Sequence, residues 1–367
     1  MNILHTEASC GWGGQEIRIL GESAGMIERG HHVALACPAH APIAREAPPH
    51  GVEVIRLPIE KKRLAGLLAI RRLLAGRRFD VVNTHSSTDA WMSALACASL
   101  RSAPPIVRTR HISAPVAASA ANRWLYGRAS RFVVTTGESL REDLVERLRC
   151  QPQRVISVPT GVDDLRFAPG DRGAARRALG LPEDRFIVGI VATLRSWKGH
   201  SYLIDAVGSL ADPGIRLVIV GDGPQLAALR DQVRRAGLDE RVALVGQQAD
   251  VAPWMRAFDA FALPSYANEG VPQALMQAMF TGLACVTTAV GAIGEIALPE
   301  RTAIVVAPRD SAALAAALRR LRQDESLRAR LGRAAREHCL AGHTRTAMLD
   351  RMERIFAAAA RGEGLTR

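Results

Sequence analysis

The sequence predicts an α/β protein built from two doubly wound parallel sheets. Three observations carry this. The chain has 367 residues, enough for two domains. Short apolar runs of strand length alternate with longer helical segments from end to end, which is the pattern of βαβ units. Glycine, proline and small polar residues gather after the apolar runs, where strands of an open sheet hand over to helices.

In the first half, residues 2–5 read as a strand, followed by Cys10-Gly11-Trp12-Gly13-Gly14-Gln15. A helix over residues 15–29 comes next, closed by Gly30. A glycine-rich turn between a first strand and a first helix is a common cradle for phosphate or hydroxyl groups. The spacing is not G-x-G-x-x-G, so a dinucleotide site is disfavoured; a tight turn without a ligand is the alternative. Strands follow over 32–36 and 52–57. A basic helix covers residues 61–77. Its leucines and arginines do not separate onto two faces, and it reads either as a core helix with a solvated basic edge or as a patch resting on anionic lipid. Residues 80–84 and 105–110 are strands ending at His85 and His111. Ligands of open α/β sheets bind beyond such ends, so both histidines are candidates, with a buried structural role as the alternative. A strand over 131–136, a helix over 138–148 and a strand over 155–159 complete the half. A turn-rich linker over 167–171 suggests a boundary near Leu165.

The second half opens with a helix over 174–179 and an apolar strand over 186–192. Then comes Thr193-Leu194-Arg195-Ser196-Trp197-Lys198-Gly199-His200, leading into a helix. Two cations three residues apart at a helix start, beside free backbone amides, suit a diphosphate. Arg195 offers a bidentate fork and Lys198 a mobile point charge. Strands over 215–220 and 242–245 follow, the latter ending at Gly246. A buried strand over 259–263 precedes the loop Pro264-Ser265-Tyr266-Ala267-Asn268-Glu269-Gly270-Val271. Pro272 sits in the first turn of a helix over 273–281 that Gly282 ends. Its first amides, near Val271 and Gln273, can point at an anionic or hydroxyl-rich ligand. Gly270 allows close approach. Strands over 284–287 and 304–307, helices over 311–321, 325–340 and 344–360, and a loose tail close the chain.

The formal net charge is +12, and residues 61–78 hold seven basic side chains and no acid. Lysine occurs only at Lys61, Lys62 and Lys198. A basic chain can meet nucleic acid, anionic membrane or anionic small molecules, but no nucleic-acid module is present. Six scattered cysteines without a C-x-x-C pair argue against zinc and disulfides and fit a reducing compartment. No leader and no transmembrane stretch stand out, so a cytoplasmic location is expected.

Glu269, Gly270 and Pro272 match the signature of the retaining family 4 glycosyltransferases, which the chain resembles; Gln277 stands where that family has a second Glu. Arg195 with Lys198-Gly199, and Thr160-Gly161-Val162-Asp163, resemble further family motifs, with Thr160 in place of Asn. The resemblance covers most of the chain. It implies the GT-B fold, with two Rossmann-like domains facing across a cleft: residues 1–165 on the acceptor side, 166–342 binding the donor, and 343–367 crossing back to the first domain. It implies transfer of a sugar from a nucleotide diphosphate sugar to a cell-envelope glycan or lipid-linked acceptor such as lipopolysaccharide core. His111, Glu269, Arg195 and Lys198 take the catalytic roles. Gly13, Gly14, Arg195, Lys198, Gly246, Glu269, Gly270, Val271, Gln273 and Gln277 would contact the donor, with Trp12 and His85 on the acceptor. The chain has no Asp-x-Asp at a strand end, so no metal and no cofactor are expected. A peripheral site on the cytoplasmic face of the inner membrane would use residues 61–78. Two rival readings are a sugar-nucleotide epimerase of the same fold and a non-catalytic nucleotide-sugar binder.

Overall fold

The computed structural model describes residues 1–111 and 114–365; Ile112 and Ser113, which follow His111, lie outside the described residues, as do the last two residues of the expected loose tail. The chain divides into two compact units: Met1–Gly161 together with the chain from Arg345 onward, and Val162–Thr344.

The first unit contains β1 (Asn2–Thr6), β2 (His32–Cys37), β3 (Glu53–Arg56), β4 (Val81–Thr84), β5 (Ile106–Arg110), β6 (Phe132–Thr135) and β7 (Val155–Ser157). They form one parallel sheet in the order β3-β2-β1-β4-β5-β6-β7. Neighbouring strand residues feed two separate cores. Ile3, Val33, Val81 and Val107 enter one, while Leu4, Ala34, Val82 and Ile106 enter the other. Both faces are therefore covered, which explains the continuous apolar runs.

The second unit repeats the plan with β8 (Phe186–Val191), β9 (Ile215–Val220), β10 (Val242–Gly246), β11 (Ala260–Leu263), β12 (Ala284–Thr287) and β13 (Ile304–Val305). Its parallel order is β10-β9-β8-β11-β12-β13. The order reverses at β1/β4 in the first sheet and at β8/β11 in the second. At such a switch point adjacent connections leave in opposite directions and open a crevice at the strand ends. The Gly-rich turn and His85 follow β1 and β4; the Arg195–Lys198 segment and the Glu269 loop follow β8 and β11.

The closing helix Arg345–Arg361 belongs to the first unit. Its buried residues Met348, Leu349, Met352, Ile355, Phe356 and Ala359 recur at helical spacing and form one face. Leu349 lies over Gly25 of the helix Gly14–Glu28, where a Cβ would come within 2.3 Å of it. Arg345 grips both carboxylate oxygens of Glu28, at 2.9 and 2.8 Å. Val162 N–H donates to His343 O at 3.0 Å, so the two chain crossings run side by side.

The structure adds helices at Ser87–Ala98, Leu226–Arg235 and Ala252–Ala257. It also corrects the reading of the basic helix. In Leu64–Gly76 the two faces do separate: Gly66, Ile70 and Leu74 are buried, while Leu64, Leu68, Arg71 and Arg72 are exposed. Among the described residues, no helix is long and apolar enough to cross a membrane.

Candidate functional site

In the second unit, the loops after β8 and β11 are stitched together by the backbone. Ser196–Lys198 forms a single tight turn, and Gly199 follows with φ +77°. A Cβ at Gly199 would lie 2.1 Å from the carbonyl oxygen of Pro264, so only glycine fits. Tyr266 N–H donates to Trp197 O at 2.8 Å. Asn268 takes a left-handed φ of +59°, a conformation Asn tolerates, and the chain turns into Glu269.

The result joins two separately predicted residues. Lys198 Nζ lies 2.6 Å from Glu269 Oε1, and Ser265 Oγ donates to the same oxygen at 2.6 Å. The Glu269 side chain is 5 % exposed and that of Lys198 20 %. Arg195 is exposed, its guanidinium 5.7 Å from the Trp197 ring. Glu269 pairs with Lys198, while Arg195 lies three residues earlier, exposed beside the Trp197 ring.

Pro272 is the N-cap of the helix Gln273–Phe280, one position earlier than the predicted first-turn place, because its ψ of 124° is extended. Its carbonyl accepts Met276 N–H at 3.1 Å. The amides of Gln273, Ala274 and Leu275 have no acceptor within the helix, and the positive dipole end points the same way. Val271 is buried; Gly270, Gln273 and Gln277 are half-buried. Gln273 and Gln277 are four apart and share a face. Gly246 ends β10, and its carbonyl accepts Gly221 N–H at 2.9 Å.

In the first unit, Gly13 caps the helix Gly14–Glu28 in extended conformation, and Trp12 is half-buried against one core. Two acids crowd this turn. Glu7 is fully buried, accepting Ser9 N–H at 2.7 Å and an N–H of Gln15. Burial, helped by the nearby Asp89, pushes Glu7 up to about 8, and burial also raises Glu16. A neutral carboxyl and an amide suit hydroxyl groups. Glu7, Glu16 and Gln15 thus give the turn at Gly13 and Gly14 groups that can hold hydroxyls.

His85 departs from its predicted acceptor contact. It is 2 % exposed, and both ring nitrogens are engaged: Nε2 with His5 Nδ1 at 2.8 Å and Nδ1 with His111 Nε2 at 2.9 Å. No nitrogen is left for a ligand. His111 is half-buried. Asp89 supports the arrangement by accepting His85 N–H at 2.9 Å and the Thr6 hydroxyl at 2.8 Å. Burial holds His5 down at about 3; burial and neighbouring cationic groups hold His85 and His111 well below the usual range. Sequence reasoning missed His5, Glu7, Asp89 and Ser265. The Ser86-x-x-Asp89 capping box was a legible signal for the helix Ser87–Ala98 and for Asp89.

The chain matches two protein-family models. "Glycosyltransferase Family 4" covers residues 12–166, and "Glycosyl transferases group 1" covers residues 171–338. A D-inositol 3-phosphate glycosyltransferase of Salinispora arenicola is 30% identical over 310 residues, 75% of this chain and 68% of that protein. The UDP-Gal:alpha-D-GlcNAc-diphosphoundecaprenol alpha-1,3-galactosyltransferase of Escherichia coli is 28% identical over 242 residues, 62% of each. Three other curated relatives are matched over 40% to 63% of their own length, and a D-inositol 3-phosphate glycosyltransferase of Actinosynnema mirum, 29% identical, over 91%. Among solved structures, Anabaena HepE in complex with UDP superposes with a TM-score of 0.86 at 21% identity, covering 98% of this chain and 100% of that one.

Proposed function

The chain belongs to the family 4 glycosyltransferases and has the GT-B fold, and on that premise we propose that it moves a sugar from a nucleotide diphosphate sugar to a hydroxyl of a cell-envelope glycan or lipid-linked glycan. The contact between Lys198 and Glu269 carries the reading. It brings a phosphate-type cation and a buried carboxylate to one point, at the switch point of the second sheet and beside the free amides of a helix start. The UDP bound to HepE and the lipid diphosphate named in the galactosyltransferase support the choice of donor and acceptor classes.

In this reading the anomeric carbon gains oxocarbenium character as the diphosphate leaves. Arg195, Lys198 and the amides from Gln273 onward stabilise the departing charge, the role of an oxyanion hole. Glu269 accepts a hydrogen bond from a donor-sugar hydroxyl, and Gln277 reaches the ribose. His111 holds another sugar hydroxyl. Fixed cations take the leaving-group charge, so the reading calls for no metal. Glu269 is engaged by Lys198 and Ser265, and the reading takes retention through the sugar's front face, the leaving phosphate accepting the acceptor's proton. Glu7, Gln15 and Trp12 receive acceptor hydroxyls. A peripheral position on the cytoplasmic face of the membrane would bring a lipid-linked acceptor within reach.

Incubating the protein with UDP-, GDP- and ADP-sugars and a lipid-linked glycan tests this. The expected result is acceptor-dependent release of one nucleoside diphosphate with retained anomeric configuration, unaffected by a chelator. Release without any acceptor, or conversion of the donor to its epimer, contradicts it.

A further inference from the structure

The three histidines of the first unit form one string: His5 Nδ1 to His85 Nε2 at 2.8 Å, and His85 Nδ1 to His111 Nε2 at 2.9 Å. The rings of His5 and His85 stack at 5.1 Å, and those of His85 and His111 are tilted at 5.2 Å. They line up rather than converge, and among the described residues no group of His, Cys, Asp or Glu is arranged to hold a metal ion.

Each N···N contact needs one proton between its two nitrogens, and each neutral imidazole carries one N–H. Three rings and two contacts leave only two arrangements. Either all three rings carry the proton on Nδ1, or all three carry it on Nε2. The rings therefore share one tautomer. The far end decides which. His5 Nε2 is buried with no partner. In the second arrangement it would be a buried N–H aimed at no acceptor. In the first it is a bare lone pair, and under-satisfied acceptors are the commoner and cheaper class.

We propose that His5 and His85 are positioning residues that fix His111 as the Nδ1–H tautomer, making it a hydrogen-bond donor to an oxygen of the bound sugar and not a general base. This rests on the reading of His111 as a sugar contact. The surroundings keep the string uncharged: burial, and the guanidinium groups of Arg18, Arg108 and Arg110, oppose a proton on His111. Asp89 spends its carboxylate on the His85 backbone, Ser86 and Thr6 instead of on a ring.

The direct test is two-bond ¹H–¹⁵N correlation on the full chain with ¹⁵N-labelled histidine. His5, His85 and His111 should all show a protonated Nδ1 and a bare Nε2, unchanged across about pH 5 to 8, the window in which an ordinary histidine titrates. A protonated Nε2 on His111 overturns the proposal. Two variants separate positioning from packing. His85→Gln supplies one acceptor oxygen and one donor NH₂, so it should preserve the His111 tautomer and keep transfer within a few-fold. His85→Leu should release His111 to mixed tautomers and lower transfer by a further factor of about ten, the scale of one hydrogen bond. An unchanged His111 signature in His85→Leu overturns the positioning role; if that variant does not fold, the wild-type spectrum decides alone. If the tautomers are as stated but His111→Ala transfers sugar normally, the sugar-contact reading falls and the family assignment is untouched.

Discussion

Lys198 Nζ and Glu269 Oε1, 71 residues apart in the chain, lie 2.6 Å from each other, Glu269 standing four residues ahead of the helix Gln273–Phe280. The contact depends on backbone details of both loops. Gly199 must be glycine to pass the Pro264 carbonyl, and Tyr266 N–H must find Trp197 O. Gly199→Ala should therefore misplace Lys198 as surely as removing it.

Gln277 stands where the family resemblance has a glutamate. An amide can bridge two ribose hydroxyls, accepting from one and donating to the other. Gln277→Ala should weaken nucleotide affinity by about 1 kcal/mol, the usual net worth of one hydrogen bond. Gln277→Glu should keep activity and hold or tighten that affinity, because a carboxylate accepts more strongly. Titration calorimetry on both variants checks this; loss of activity in Gln277→Glu would give the amide a separate role.

His111→Ala should depress sugar transfer far more than nucleotide affinity. On the proposed reading a single lost hydrogen bond to the reacting sugar acts on the transition state, while the proposed diphosphate groups, Arg195 and Lys198, lie in the second unit. Parallel measurement of turnover and nucleotide binding decides it. A matching fall in affinity would place His111 with the nucleotide.

The exposed face of Leu64–Gly76 combines Leu64 and Leu68 with Arg71 and Arg72. Such a helix should rest on anionic lipid. Binding to anionic vesicles should exceed binding to neutral ones and fall with added salt, because salt shortens the reach of surface charge. Replacing Arg71, Arg72 and Arg78 by Gln should abolish the preference. Arg77 is held by Glu53 at 2.5 and 2.6 Å and should matter less.

Glu7 gives the fold a pH dependence of definite sign. Its folded value is raised from 4.5 to about 8, so the folded state binds the proton more tightly than the unfolded state. Its contribution is fully present below the ordinary carboxyl range and is lost as pH rises toward about 8. Burial raises Glu22 to about 7, which acts with the same sign. Above the ordinary histidine value of 6.5, where the buried His5, His85 and His111 no longer act with the opposite sign, thermal unfolding should show a melting temperature that falls toward about pH 8, and Glu7→Gln should flatten the decline. A steeper decline in the variant would contradict the assignment.

Much of this was legible in the sequence. Strands buried on both faces are unbroken apolar runs such as Phe186–Val191, and their loops carry Gly and Pro at fixed places. Arg195 and Lys198 could be named because two cations near free amides suit a diphosphate, and Glu269 because Glu269, Gly270 and Pro272 resemble the family signature. Their mutual contact could not, since it depends on Gly199 meeting Pro264 across strands that are distant in sequence. The histidine string was hidden for the same reason. His5 lies inside a strand and reads as core; only the β1-β4-β5 order sets it beside His85 and His111. The basic helix was misread because Leu64 and Leu68 look like core residues, and only the packing of Gly66, Ile70 and Leu74 shows which face is spare.

The central claim is that Lys198 and its surroundings hold the diphosphate of a nucleotide sugar. Calorimetric affinity of the wild type and Lys198→Ala for UDP, GDP and ADP, each beside its nucleoside, tests it most directly. One diphosphate should bind far better than its nucleoside, and Lys198→Ala should lose most of that difference, with turnover falling at least about 100-fold, the scale of one lost oxyanion donor. Equal affinity for diphosphate and nucleoside, or an unchanged diphosphate affinity in Lys198→Ala, would contradict the account.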